Sequence, residues 1–229
     1  MDRDAEKRAA AQAAAAMVKD GMVIGLGTGS TAHFAVQALI DRVRAGLQIR
    51  AIPTSERTAE QARVGGIPLT SFAEHRRLDL TIDGADEIEL GTLNLIKGLG
   101  GALLREKIVA AASARLVIVA DHEKLVDRLG EKTPLPIEVV PFGWETTAAR
   151  LRQLGTEPQP RRDAAGQLFC TDGGNRILDC RFRTIPDPTG LDRLISQTVG
   201  VVETGLFIGM AETVLIADAR GVRTLRPGS

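Results

Sequence analysis

Apolar positions along the chain follow two rhythms. Short unbroken runs bounded by glycine, proline or aspartate, over 22–26, 48–52, 67–69, 78–82 and 115–120, read as buried strands. Between them the spacing is helical, as in Phe34, Val36, Leu39, Ile40 and Val43. The alanine-rich segment 4–19 predicts an opening helix that stops at Gly21. Ser55 is placed to cap a helix over 56–64, and the glycines of 98–101 introduce another that runs to Ser113. Strands alternating with helices predict a doubly wound, mostly parallel α/β sheet of Rossmann-like type.

After Gly130 the pattern changes. A strand is predicted over 137–140 and a helix over 144–154, with 158–162 a charged, proline-bearing turn. Runs 168–171 and 176–180 read as paired strands around Asp172-Gly173-Gly174-Asn175, and a helix follows over 191–197. This predicts a compact α+β insert of ferredoxin-like type over 130–205, with 1–129 and 206–229 forming the Rossmann-like domain. The run 213–217 reads as a last strand returning to the main sheet.

Composition narrows the function. Lys+Arg and Asp+Glu both total 29 in 229 residues, without the basic excess of a nucleic-acid surface. No apolar stretch has the length of a membrane span, and the N-terminus lacks the apolar core of a signal peptide. A cytoplasmic protein acting on a small molecule is expected, without nucleic-acid or membrane partners. In that compartment Cys170 and Cys180 are expected as reduced, inert thiols, although a hairpin would permit their pairing.

Three polar clusters follow predicted strands, where open parallel sheets bind ligands. Gly25-Leu26-Gly27-Thr28-Gly29-Ser30-Thr31 reads either as a phosphate or carboxylate cradle at a helix start, or as a tight turn capped by Ser30 or Thr31. Asp83-Gly84-Ala85-Asp86-Glu87 offers two aspartates to sugar hydroxyls; a solvated turn is the alternative, and a magnesium site ranks lowest. Lys97-Gly98-Leu99-Gly100-Gly101 leads into a helix that carries Glu106, within reach of the same edge, as is Lys124. Glu106-Lys107 also reads as a solvated pair, and Lys124 as a surface lysine.

In this order the three clusters closely resemble the A-type ribose-5-phosphate isomerases. The likeness extends to Pro53-Thr54-Ser55, to Asp172-Gly173-Gly174-Asn175-x-Ile177-Leu178-Asp179 and to Val201, Glu203, Gly205, Leu206 and Phe207. The resemblance implies an aldose–ketose isomerase that interconverts ribose 5-phosphate and ribulose 5-phosphate through an enediolate, without metal or organic cofactor. It implies Glu106 as the base, Lys97 as the cation at the developing oxyanion with the loop amides as helpers, and Asp83 as the acid–base partner for ring opening. Thr28, Gly29, Ser30, Thr31, Asp83, Gly84, Ala85, Asp86, Lys97, Gly98, Leu99, Gly100 and Lys124 are expected to line the substrate site. Lys7 is added as a phosphate ligand from position alone.

The chain departs from the family pattern at Glu123, where a serine is expected, and at Leu99, where some relatives have glycine. A homodimer is expected, with a tetramer as the alternative. A non-catalytic sugar-phosphate sensor, or a deaminase or lactonase on a similar scaffold, is the competing reading. A sensor fused to a DNA reader would need a helix-turn-helix, and none precedes Met22. The other enzymes are not expected to keep Lys97 with Glu106.

Overall fold

The computed structural model describes residues 3–228. Helix α1 (Arg3–Ala15) is shorter than the sequence pattern suggests and buries Ala10, Ala11, Ala14 and Ala15. Strand β1 (Val23–Leu26) leads into α2 (Ser30–Arg44), and β2 (Arg50–Pro53) into α3 (Glu56–Gly65). The Ser55 hydroxyl accepts from Thr58 N and so caps α3, as expected. The strand expected at 67–69 is reduced to one parallel bridge between Ala51 and Leu69.

Strand β3 (Leu80–Asp83) is followed by the short β4 (Glu87–Glu89) and β5 (Leu95–Ile96). Then come α4 (Leu103–Ala111), β6 (Leu116–Asp121), a single 3-10 turn His122–Lys124 and β7 (Leu125–Val126). The second half runs β8 (Leu135–Val139), α5 (Trp144–Arg152), β9 (Glu157–Pro160), β10 (Arg176–Arg181), α6 (Pro188–Ser196) and β11 (Val201–Thr204). The chain closes with β12 (Leu206–Phe207), β13 (Thr213–Asp218) and β14 (Gly221–Leu225).

The six-stranded sheet has the order β14-β13-β6-β3-β1-β2 and is parallel except for the β13–β14 hairpin. Its fully buried strands explain why they read as continuous apolar runs rather than alternating ones. One face packs Ile24, Leu80 and Val117 under Ala10, Ala14, Leu39 and Ile40 from α1 and α2. From β1 the chain moves to β2 on one side, while β3 lies on the other, so the strand order reverses there. A crevice opens at the carboxyl ends of such neighbours.

The second sheet, β11-β8-β10-β9, is antiparallel throughout, and with α5 and α6 it follows the βαββαβ order of a ferredoxin-like unit. Two local expectations are corrected here. Residues 158–162 are no simple turn: Pro158 and Pro160 lie in β9, an edge strand, where a missing N–H is tolerated. Residues 168–171 form no strand, since β10 takes β8 and β9 as partners and Leu168 makes one bridge to Arg162. Cys170 is exposed and Cys180 buried, both unpaired, and burial pushes the Cys180 thiol up to about 12.

A third small sheet, β12-β5-β4-β7, ties the end of the insert to the segment before Lys97. No helix among the described residues is long and apolar enough to cross a membrane.

Candidate active site

All three polar clusters meet at the carboxyl ends of β1 and β3. The crevice there is lined by Thr28, Gly29, Ser30, Thr31, Gly84, Ala85, Asp86, Lys97, Gly98, Gly100, Glu106 and Lys124. Of the expected lining residues, Asp83 and Leu99 lie outside it. Lys7 is also absent from the wall; its ammonium stands 3.7 Å from Asp4 on its own helix. Among the described residues no three His, Cys, Asp or Glu side chains gather as a metal site would require.

The floor of the crevice is a buried triad of charges. The Lys97 ammonium is 3.1 Å from Asp83 Oδ2 and 3.2 Å from Glu106 Oε2, and it donates to Gly84 O at 2.7 Å. All three side chains are at most 3% exposed. It also stands 5.4 Å above the ring of Phe207, delivered by β12. One ammonium neutralises one carboxylate, so the second is surplus.

Hydrogen bonding indicates which carboxylate is surplus. Asp83 Oδ1 accepts from Thr28 N at 3.1 Å and Gly84 N at 2.7 Å, which favours its ionised form. Glu106 Oε2 accepts no hydrogen bond and faces only the ammonium. Burial, first, pushes the Glu106 carboxyl up to about 8; Lys97 opposes the rise, and Asp83 and Asp86 add to it. Burial also raises Asp83, against Lys97 and the two amides. Burial alone would depress Lys97, but Asp83, Glu106 and Asp86 outweigh it and hold the ammonium above its ordinary value. The proton in this cluster belongs to the carboxyl pair, with Glu106 its wall-facing member.

Above the triad lie anion-binding groups. Helix α2 starts at Ser30 without a side-chain cap, so its first amides face the crevice end unpartnered within the helix. Lys124 has no hydrogen bond or ion pair among the described residues, which leaves its charge available to a ligand. Glu123 turns away and pairs with Arg3, so it does not consume that charge.

Thr28 lines the crevice as expected, and its hydroxyl has a structural role besides. Its hydroxyl is 2.7 Å from Thr54 Oγ1, 2.8 Å from Ser55 Oγ and 3.1 Å from Thr58 Oγ1, all buried. That hydroxyl fastens the turn to the start of α3, while Thr28 itself borders the crevice. Asp86 Oδ2 accepts from Leu99 N at 2.9 Å, which explains why Leu99 serves through its amide while its side chain is exposed.

Sequence reading missed the groups that the insert contributes. Arg161 Nη1 donates to the carbonyls of Gly98 at 2.8 Å and Leu99 at 3.1 Å. Glu138 accepts from the amide of Leu104, in the first turn of α4, and from Thr171 and Asn175 at 2.9 Å each. The available signal is Asn175 and Asp179 in the run Asp172-Gly173-Gly174-Asn175-x-Ile177-Leu178-Asp179, whose turn reads as a hairpin. A roomier concavity, about 870 Å³ beside Phe182 and Leu191, lies elsewhere and offers no acid–base pair: Asp187 caps α6 and Glu157 pairs with Arg152.

A Rossmann-like sheet carrying a buried acid–base triad beneath an anion cradle defines an enzyme for a small phosphorylated substrate. The chain belongs to the ribose 5-phosphate isomerase A family (phosphoriboisomerase A), whose model matches residues 50–221. The ribose-5-phosphate isomerase A of Gloeobacter violaceus is 58% identical over 100% of this chain and 99% of its own, and that of Gluconobacter oxydans is 55% identical over 99% and 98%. Among solved structures, ribose 5-phosphate isomerase A from Methanocaldococcus jannaschii superposes with a TM-score of 0.93 at 40% identity, covering 97% of this chain and 98% of that one. A D-ribose-5-phosphate isomerase in complex with phospho-erythronic acid gives 0.95 at 35% identity, covering 99% and 100%.

Proposed function

We propose that this chain interconverts D-ribose 5-phosphate and D-ribulose 5-phosphate in the non-oxidative pentose phosphate pathway, as a cytoplasmic homodimer. The observation that carries the reading is Glu106: a buried, surplus carboxylate on the crevice wall, 3.2 Å from a buried ammonium. In the open-chain aldose, Glu106 removes the proton on C2 while the C1 carbonyl electrons move onto O1. The resulting enediolate takes the proton back at C1, the hydroxyl proton passes from O2 to O1, and C2 becomes the carbonyl. A base with its pKa near the working pH serves both halves.

Lys97 stabilises the developing oxyanion, and burial makes that attraction stronger than it would be in water. Asp83, paired with Lys97 from beneath, holds the ammonium in place and serves as the acid–base partner for ring opening. Asp86 binds sugar hydroxyls, and the α2 amides with Lys124 take the phosphate. The relative in complex with phospho-erythronic acid supports a sugar-phosphate substrate, since that ligand carries a phosphate and a carboxylate on a short polyol chain.

A sensor would have no use for a surplus buried carboxylate, and membership across the whole chain disfavours a deaminase or lactonase. The test is a coupled assay of ribulose 5-phosphate formation by chelator-dialysed protein, beside Glu106→Gln. Turnover should survive the chelator and collapse in the Gln variant while substrate still binds. A Gln variant that retains most of its turnover overturns the assignment, and activity lost to the chelator and restored by magnesium overturns the metal-free scheme.

A further inference from the structure

The segment between Lys97 and α4 is a tight turn, closed by Gly101 N donating to Gly98 O at 3.0 Å, with Leu99 and Gly100 at its centre. Arg161 reaches this turn from the insert. Its guanidinium is gripped at two points by Asp179, Nε to Oδ2 at 2.9 Å and Nη2 to Oδ1 at 2.5 Å. The remaining nitrogen, Nη1, holds both turn carbonyls, Gly98 O and Leu99 O. At 12% exposure the side chain is nearly withdrawn from solvent, so the fork is fixed in orientation.

A trans peptide points its C=O and N–H in opposite directions, and no peptide bond among the described residues is cis. Drawing Gly98 O toward Arg161 therefore turns Leu99 N–H the other way, where it meets Asp86 Oδ2 at 2.9 Å. Drawing Leu99 O the same way turns Gly100 N–H away from Arg161. Gly100 lies on the crevice wall, and its amide has no hydrogen-bond partner among the described residues. That N–H is free to meet an anionic oxygen of the substrate.

The orientation is not self-enforcing. Gly100 does not have positive φ, which places the turn near type I. Type II differs by a flip of the central peptide and requires positive φ at the third residue, where glycine is the residue that allows it. With Gly100 in that position the unrestrained Leu99–Gly100 peptide can turn over, aiming a carbonyl rather than an amide at the substrate.

We propose that Arg161, anchored by Asp179, is a positioning residue that fixes the Leu99–Gly100 peptide so that Gly100 N–H serves as an oxyanion donor alongside Lys97. The inference rests on the proposed isomerase site, and wild type with Glu106→Gln as controls separates the two: if those controls fail, the site assignment is at fault and not Arg161.

The experiment is steady-state kinetics of Arg161→Met, of Gly100→Ala and of the double variant, with thermal unfolding of each. A side chain at Gly100 would have Thr28 Cγ2 at 3.7 Å as its nearest neighbour, so alanine fits there, and it disfavours the flipped turn. Arg161→Met should lower kcat by about 10²-fold, the usual cost of one oxyanion donor, with KM little changed. In the Gly100→Ala background the same substitution should cost clearly less, because alanine supplies the restraint that arginine supplied. If Arg161→Met fails to fold, Arg161→Lys replaces it, since an ammonium lacks the fork that spans both carbonyls and Asp179. Retained kcat overturns the proposal. So does an equal loss in both backgrounds, which is what a purely structural arginine gives.

Discussion

Glu106→Gln does more than remove a base; it removes the surplus charge from the buried triad, and that can be read from stability. The wild-type carboxyl goes from 4.5 to about 8 because burial penalises its ionised form. A raised folded-state pKa means the native protein holds a proton that the unfolded chain has already released. The stabilisation is therefore complete below about pH 4.5 and lost as pH rises through about 8. A shift of that size corresponds to about 5 kcal/mol across the window, a large share of the ~5–15 kcal/mol by which a domain is stable. The amide carries no such proton, and in the variant Lys97 is left with Asp83 alone, a neutral pair. Urea unfolding at pH 5, 7 and 9, followed by far-ultraviolet circular dichroism, gives both stability curves. Wild type should lose several kcal/mol relative to the Gln variant between pH 5 and 9. Curves that run parallel would place the proton elsewhere and refute the surplus-charge argument.

Three further outcomes are expected. Lys97→Met should lower kcat by about 10²–10³-fold with a modest change in substrate affinity, whereas Lys124→Met should chiefly raise KM; steady-state kinetics with a binding assay decides, and the reverse pattern exchanges their roles. The kcat/KM of wild type should rise with pH to a midpoint near 8, as the free enzyme's Glu106 loses its proton; a flat profile from pH 6 to 9 refutes Glu106 as the titrating base. Gly27→Ala should destabilise by about 3 kcal/mol, because its Cβ would stand 2.1 Å from Asp83 Oδ1 and 2.5 Å from Asp83 Cα, and backbone cannot yield; an unchanged urea midpoint refutes that close approach.

The main sheet was legible because its strands are buried on both faces and so form apolar runs, each ending at a polar cluster. Glu106 and Lys97 could be singled out because a glycine loop beside a strand end has few purely structural reasons to exist. Other features leave no such trace. The two-residue strands β5 and β12 are too short to show a period, and β14 is half-exposed and mixed. Pro158 and Pro160 looked like turn residues because sequence cannot show that β9 is an edge with its N–H side unpaired. The contacts of the Thr28 hydroxyl with Thr54, Ser55 and Thr58, some thirty residues on, leave no mark in its motif. Arg161 was invisible for the same reason: its partners Gly98 and Leu99 are carbonyls more than sixty residues away, and backbone groups leave no mark in a side-chain pattern.

The small third sheet changes what kind of unit the insert is. On leaving β11 the chain passes Gly205, whose N–H donates to Pro136 O at 2.8 Å and whose carbonyl accepts from Lys97 N at 2.9 Å, and then places Phe207 beneath the Lys97 ammonium. Gly205 thus stitches the opening strand of the insert to the backbone of the reacting lysine, and both ends of the insertion pass that knot. An excision that rejoined the chain across the gap, or a chimera that imported the insert from an unrelated protein, would unpick Lys97 at the moment of splicing. Swappable modules have seams in open water; this one has its seam at the reaction centre.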